Sequence, residues 1–117
     1  MTDVLLVCKA GGAFDSLRAD GHAGFLKRGT DIVCAAETML FRTVLSLLEK
    51  TDGLEVKKDI SKRGSLFFCV KGGGTRSVER LVCVADFIRE GMQSLAEEYP
   101  RNVRFNEVVS TDLSTGL

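Results

Sequence analysis

Two long helical patterns, each preceded by a pair of short strand patterns, constrain the fold of this chain more than any other feature. The first helix is predicted from a cap at Thr30 or Asp31 to about Lys50, and the second runs up to Pro100. Apolar residues recur in both at helical spacing, so each helix should bury one face. The predicted stripes are Ile32, Val33, Ala36, Met39, Leu40, Val44, Leu47 and Leu48, then Val78, Leu81, Val82, Ala85, Ile88, Met92, Leu95, Ala96 and Tyr99.

Five short apolar or alternating runs around these helices predict strands at 4–9, 13–20, 54–60, 65–70 and 103–107. Turns are predicted at Gly11-Gly12 and at residues 61–64. The order is therefore β-β-α-β-β-α-β. We predict an α+β fold, a two-layer α/β sandwich with both helices packed on one sheet, in a single domain over residues 1–117. An uncovered, partly apolar face of the sheet or of a helix favours a homodimer.

Composition narrows the possible functions. The chain has 16 basic and 16 acidic residues. This balance argues against a dedicated nucleic-acid binder, so we expect no direct nucleic-acid contact. No apolar run approaches the ~18 residues that span a bilayer, and the N-terminus lacks the pattern of a signal peptide. We therefore predict a cytoplasmic protein without membrane contact.

The cysteine spacing argues against a metal site and a disulfide framework. The four cysteines, Cys8, Cys34, Cys69 and Cys83, contain no C-x-x-C pair, and the chain has one histidine. We expect neither a metal nor a cofactor. Cys8, Cys69 and Cys83 lie among apolar residues and are predicted to pack in the core.

His22 and Cys34 form the candidate catalytic pair. His22 follows the second predicted strand, and Cys34 lies in the first predicted turn of the first helix. A helix N-terminus and a nearby imidazole lower a thiol pKa, and free N–H groups there can donate to an oxyanion. On spacing alone, a histidine at a strand end and a cysteine in a helix are more often structural. Asp31 is either an orienting group for His22 or a plain N-cap.

Two further features are weaker. The segment 71–76, Lys-Gly-Gly-Gly-Thr-Arg, could hold a phosphate before the second helix, but it lacks the Walker spacing. A flexible connection explains it better. The basic pairs Lys57-Lys58 and Lys62-Arg63 are typical of a solvated hairpin, and they could also dock an acidic partner or ribosomal RNA.

The central stretch resembles the signature of the bacterial ribosomal-processing cysteine proteases, the Prp family. It reads Gly-His-Ala-Gly at 21–24 and Gly-Thr-Asp-Ile-Val-Cys-Ala-Ala at 29–36, and Glu-Tyr-Pro at 98–100 also fits. The resemblance implies a cysteine endopeptidase that removes the N-terminal extension of a large-subunit ribosomal protein precursor. It implies Cys34 as nucleophile, His22 as base and a homodimer. It also implies a mobile loop containing Gly24, Phe25 and Gly29 that covers the bound peptide.

The sequence departs from the family pattern near the predicted site. Phe25 stands where tyrosine is expected, and Thr38 stands where serine is usual, one turn after Cys34. Thr38 could still contact the substrate. The resemblance also implies an apolar groove beside Cys34. Two other functions remain open at this stage: a non-catalytic ribosome-associated binding module, and a redox-active thiol protein.

Overall fold

The computed structural model describes residues 1–21, 28–60 and 64–110, and within them it confirms the predicted order of strands and helices. A short 3₁₀ turn, Gly74–Ser77, leads into the second helix. The bounds are β1 Thr2–Cys8, β2 Phe14–Asp20, α1 Arg28–Glu49, β3 Leu54–Asp59, β4 Ser65–Gly72, α2 Val78–Glu98 and β5 Val103–Val109.

The five strands form one mixed sheet in the order β3-β4-β2-β1-β5. Neighbouring strands are antiparallel except β1 and β5, which are parallel. Leu17 on the central strand β2 lies opposite Leu6 on β1 and opposite Phe68 on β4. Because side chains alternate along a strand, these three residues share one face of the sheet.

Both helices cover that same face. Leu6, Leu17 and Phe68 are fully buried in one cluster that also contains residues from both helices. On the opposite face, the Arg18 guanidinium lies 4.8 Å from the centre of the Phe67 ring. The two-layer prediction is therefore confirmed. The helical part of the core is Val33, Phe41, Val44, Leu45 and Leu48 from α1, and Leu81, Val84, Ala85, Ile88 and Met92 from α2.

The predicted helical stripes were partly wrong. Ile32, Met39 and Leu47 on α1 are 54%, 69% and 42% exposed, and Val78 on α2 is also exposed. On α1 the buried line instead steps by four residues, from Val33 through Glu37 to Phe41. Apolar residues occupy two neighbouring faces of this helix, and periodicity alone does not tell which face meets the sheet.

Some other predictions also needed correction. Ile60 lies beyond β3 and is exposed, because the strand ends at Asp59. Cys8 is buried as predicted, but Cys69 is only half-buried and Cys83 is exposed on α2. The antiparallel pairing of β3 with β4 agrees with a hairpin. The predicted turn residues 61–63 lie outside the described residues.

Candidate active site

Cys34 lies on α1 with its side chain partly exposed. Helix α1 begins at Arg28, not after a cap at Thr30 or Asp31, so Cys34 is in the second turn. Only the first four N–H groups of a helix lack an intrahelical acceptor. The prediction that Cys34 lies among the free N–H groups of a first turn is therefore wrong. Any oxyanion donors from this helix would come from the turn that precedes Cys34.

The helix extends earlier than predicted because the glycine at 29 does not stop it. Gly29, predicted as the end of a loop, lies in the first turn of α1. A helical glycine costs only about 1 kcal/mol relative to alanine. Asp31 is likewise inside the first turn. It is therefore not the N-cap residue of α1, as one of the two predictions for Asp31 had it.

The strand that leads to His22 is fixed tightly at its last residues. The Ser65 hydroxyl donates to Asp20 Oδ1 at 2.7 Å, and the Gly21 N–H donates to the Gly64 carbonyl at 2.8 Å. Gly21 has φ of +98°, and a Cβ built there would lie 2.5 Å from the Met1 carbonyl oxygen. Glycine is thus required at 21, both by the backbone angle and by the close approach of β1.

His22 itself lies outside the described residues, as do Gly24 and Phe25. Of the predicted pair, the structure therefore describes Cys34. It describes β2 and the chain after it as far as Gly21, the residue before His22. Thr38 is described, and it is exposed one turn after Cys34.

Two grooves flank α1. One, of about 960 Å³, includes Cys34 and runs along the helix past Thr38 and Met39. The other, of about 590 Å³, lies between α1 and the β3–β4 hairpin. Thr38 and Arg42 line both grooves. The apolar residues of the second groove are Phe41, Leu45, Ile60 and Leu66.

These grooves provide the kind of surface that an extended peptide needs. The second groove presents apolar side chains, and a salt bridge from Lys58 Nζ to Glu49 Oε2, 2.9 Å long, lies at its edge. The family resemblance implied an apolar groove beside Cys34 but did not identify the residues that line it. Arg42 and Ile60 were missed because residues 42 and 60 come together only through the packing of the hairpin on α1.

Glu37 is an unexpected feature of this region. It is fully buried on α1, three residues after Cys34, and its Oε2 accepts a hydrogen bond of 2.8 Å from the Thr2 hydroxyl. Burial raises the pKa of Glu37 to about 7, although the hydrogen bond from Thr2 and the positive Met1 amino group oppose the rise. Sequence reasoning missed Glu37. The sequence did contain a sign of its burial: Glu37 lies four residues from both Val33 and Phe41, which are buried, and so it shares their face of the helix.

No group of three or more histidine, cysteine, aspartate or glutamate side chains in the described part of the chain could hold a metal ion. Among the same residues, no helix has the length and apolar character needed to cross a bilayer. All four cysteines lie within the described ranges, and none of them forms a disulfide.

Comparison with known proteins gave a family and a set of similar folds. The family model described as "Cysteine protease Prp" matches residues 1–104. No curated protein sequence matches the chain significantly. Among solved structures, SMU.848 from Streptococcus mutans is 25% identical with a TM-score of 0.75, over 94% of this chain and 96% of that chain.

Two structures from S. aureus are similar as well. Both are of its essential ribosomal processing protease Prp, one in complex with a substrate peptide and one with a covalently linked product peptide. They are 19% and 24% identical to this chain, with TM-scores of 0.75 and 0.65. In each case the match covers 92% of this chain and 99% of the other. At these identities, the likeness shows a shared fold.

Proposed function

This chain belongs to the cysteine protease Prp family, and we propose that it cleaves its substrate with Cys34 as nucleophile and His22 as general base. The family match over residues 1–104 carries the proposal, because it includes both residues. The partial exposure of Cys34 at the edge of a groove supports it. A nucleophile must be reachable by the peptide that it attacks.

The proposed reaction has two steps. His22 takes the thiol proton, and the Cys34 sulfur forms a bond to the scissile carbonyl carbon. The C–N bond then breaks, and His22 returns the proton to the leaving amine. Water next attacks the thioester, which releases the carboxylic acid product and restores the thiol. The free N–H groups in the first turn of α1 are the proposed donors to the oxyanion.

We propose that the substrate is a large-subunit ribosomal protein precursor, from which the enzyme removes an N-terminal extension. The S. aureus structures support this choice because they are of a ribosomal processing protease with bound peptides. The groove between α1 and the β3–β4 hairpin also supports it, since its apolar lining suits apolar or aromatic side chains of an extended peptide.

Other residues near the thiol have proposed supporting roles. Thr38 lines both grooves and would contact the peptide directly. Asp31 would orient His22. Gly24 and Phe25 would contact the bound peptide from the segment that joins β2 to α1. We propose no cofactor, no metal and no direct contact with nucleic acid, in a protein that acts in the cytoplasm.

We also propose that the protein is a homodimer. Large apolar side chains on the outer faces of the two helices support this: Met39 is 69% exposed, Phe87 51% and Leu47 42%. Exposed apolar residues grouped on one surface are typical of interaction sites. Light scattering coupled to size exclusion gives the mass directly, and a monomer at micromolar concentration would contradict this part of the proposal.

The proposed reaction is tested by incubating the extended precursor from the same genome with the protein and measuring intact mass. Wild type should cut once near the N-terminus, whereas Cys34→Ala and His22→Ala should lose more than ~10³-fold in rate. Cys69→Ala is the matched control, because Cys69 is on β4, on the same face of the sheet as Phe67 and therefore on the side away from both helices. It should cut at the wild-type rate. A folded wild type that leaves the precursor intact would contradict the proposal and favour a binding module.

Alkylation with iodoacetamide at pH 7 tests the pair independently of any substrate. An activated thiol reacts as the thiolate, whereas an ordinary cysteine with a pKa near ~8.5 is mostly protonated. Cys34 should react at least about tenfold faster than Cys83 in the same molecule, and His22→Ala should remove that advantage. Equal rates at both cysteines in wild type would rule out activation of Cys34 in the resting enzyme.

A further inference from the structure

The buried pair formed by Glu37 and Thr2 links the two parts of the proposed active site. Both side chains are 0% exposed, and the Thr2 hydroxyl donates to Glu37 Oε2 at 2.8 Å across 35 residues of sequence. Glu37 lies on α1 three residues after Cys34, on a neighbouring turn of the same helix. Thr2 is the first residue of β1.

Thr2 lies beside the residue before His22. Asp3 is paired with Asp20, and a Cβ built on Gly21 would lie 3.4 Å from the Thr2 Cα and 2.5 Å from the Met1 carbonyl oxygen, so the two backbones run close together here. The Thr2 N–H donates to the Asn102 carbonyl at 2.8 Å, which holds the start of β1 on its other side. The start of β1 is thus held between Gly21, Asn102 and Glu37.

A carboxyl group is a costly choice at this position. Glu37 occupies the buried line of α1 between Val33 and Phe41, where an apolar side chain would pack without any loss of hydration. Replacing buried ionisable groups by apolar residues of similar size is often neutral or stabilising. A side chain that costs stability next to a reactive centre is typical of a role in activity.

We propose that Glu37 is a positioning residue for the Cys34–His22 pair. Its hydrogen bond to Thr2 holds the start of β1, and through the pairing of β1 with β2 the end of β2 next to Gly21, at a fixed position relative to the helix that carries Cys34. This inference rests on the proposed function, because it assumes that these two residues react together. In this scheme Glu37 acts through Thr2 and the backbones of β1 and β2.

The test compares three substitutions in the precursor cleavage assay. Thr2→Val and Glu37→Met remove the hydrogen bond with little change in volume, and each should lower kcat about tenfold with KM within about twofold of wild type. A misplacement of about 1 Å costs rate in this range or more. Glu37→Gln should keep at least half of the wild-type kcat, because its amide oxygen can still accept from the Thr2 hydroxyl.

The double variant Thr2→Val/Glu37→Met separates positioning from general destabilisation. If the two residues act through one bond, it should be no slower than the worse single variant. Ser77→Ala is the control, since it removes another buried hydroxyl, at the start of α2. It should leave kcat unchanged. Folded fraction, followed by circular dichroism at the assay temperature, corrects each rate.

Three results would overturn the inference. Variants that change the melting temperature but keep wild-type kcat per folded molecule would make the pair merely structural. Losses that add in the double variant would show two separate roles. A loss of kcat in Glu37→Gln as large as in Glu37→Met would show that the hydrogen bond is not the feature that matters.

Failure of the proposed function gives a different pattern. In that case wild type itself would leave the precursor intact, and alkylation of Cys34 would not depend on His22. The positioning role would then fall with it. If wild type cleaves, and if its alkylation depends on His22, variants that match wild type would overturn the positioning role alone.

Discussion

The two ends of strand β1 each hold a glutamate, but the two carboxyl groups are in opposite environments. At the Thr2 end, Glu37 is fully buried, and burial raises its pKa to about 7. At the Cys8 end, Glu107 forms an ion pair with Arg89, whose hydrogen bonds hold the pKa of Glu107 below its usual value. One end therefore favours a neutral carboxyl and the other a charged one.

The cysteines nearest to these two ends differ in the same way. Cys34 is partly exposed beside a groove. Cys8 is 2% exposed, and burial raises the pKa of its thiol, with the charge of Glu107 acting in the same direction. A buried thiol with a raised pKa is unreactive. At the Cys8 end, the buried thiol and the ion pair therefore contribute to stability. At the Thr2 end, the buried Glu37 carboxyl is unfavourable for stability and lies near the partly exposed Cys34 thiol.

The largest expected effect comes from glycines at the two ends. Gly21 and Gly12 have nearly the same φ, +98° and +95°, but only Gly21 has a close neighbour. Gly21→Ala should lower the free energy of unfolding by about 3 kcal/mol or more, since backbone strain and a clash with the Met1 carbonyl add. Gly12→Ala should cost only about 1–2 kcal/mol, from the positive φ alone.

Urea denaturation of both variants at one pH measures this difference. Equal losses of unfolding free energy in the two variants would mean that β1 and the end of β2 are further apart than in the structure. The difference between the two ends of β1 would then be smaller than proposed. A Gly21→Ala variant that remains folded should also show a reduced rate of precursor cleavage, because the residue before His22 must move.

The second-largest expected effect is the pH dependence of the free energy of unfolding that Glu37 causes. Its pKa is raised from 4.5 to about 7 in the folded protein, so the folded state holds this proton more tightly than the unfolded state does. Stability from this group is fully present below about pH 4.5 and is lost as the pH rises through 7. The total loss is about 3 kcal/mol at ~1.36 kcal/mol per pH unit.

Glu37→Gln should remove this slope, since an amide does not ionise. Denaturation midpoints of the variant and of wild type, measured between pH 5 and pH 8.5, give the difference directly. As the pH rises, the denaturation midpoint of the variant should increase relative to that of wild type. Parallel profiles would show that Glu37 ionises normally in solution, and the two ends of β1 would then be electrostatically alike.

Much of the fold could be predicted from local patterns. The alternating run at 13–20 correctly predicted β2, and the helical spacing of apolar residues correctly predicted both helices. The start of α1 was wrong because Thr30 and Asp31 are good caps by type, but a helix can continue past them when one more turn is favourable. The free energy that a good N-cap residue contributes is too small to fix the first residue of a helix.

The candidate site was less accessible to sequence reasoning. A motif identified Cys34 and His22, but their surroundings come from residues far apart in the chain. Glu37 was missed because a charged residue on a helix is normally solvated. Its burial depends on Thr2, 35 residues earlier, and no local pattern reports such a contact. The groove between α1 and the hairpin is likewise a product of tertiary packing.

The smallest expected effect is at the Cys8 end, where Glu107→Gln should act in the opposite sense to Glu37→Gln. Because the pKa of Glu107 is lowered, its contribution to stability is present above the unfolded-state value and is lost as the pH falls through the folded value. The pair is partly exposed, so the loss should be only about 0.5–1 kcal/mol at pH 7 and should vanish in acid. In 1 M salt the effect should shrink further, since solvent-exposed charges are screened. If Glu107→Gln were instead neutral at pH 7, the ion pair with Arg89 would add nothing to stability, and the buried packing of Cys8 alone would distinguish this end of β1 from the other.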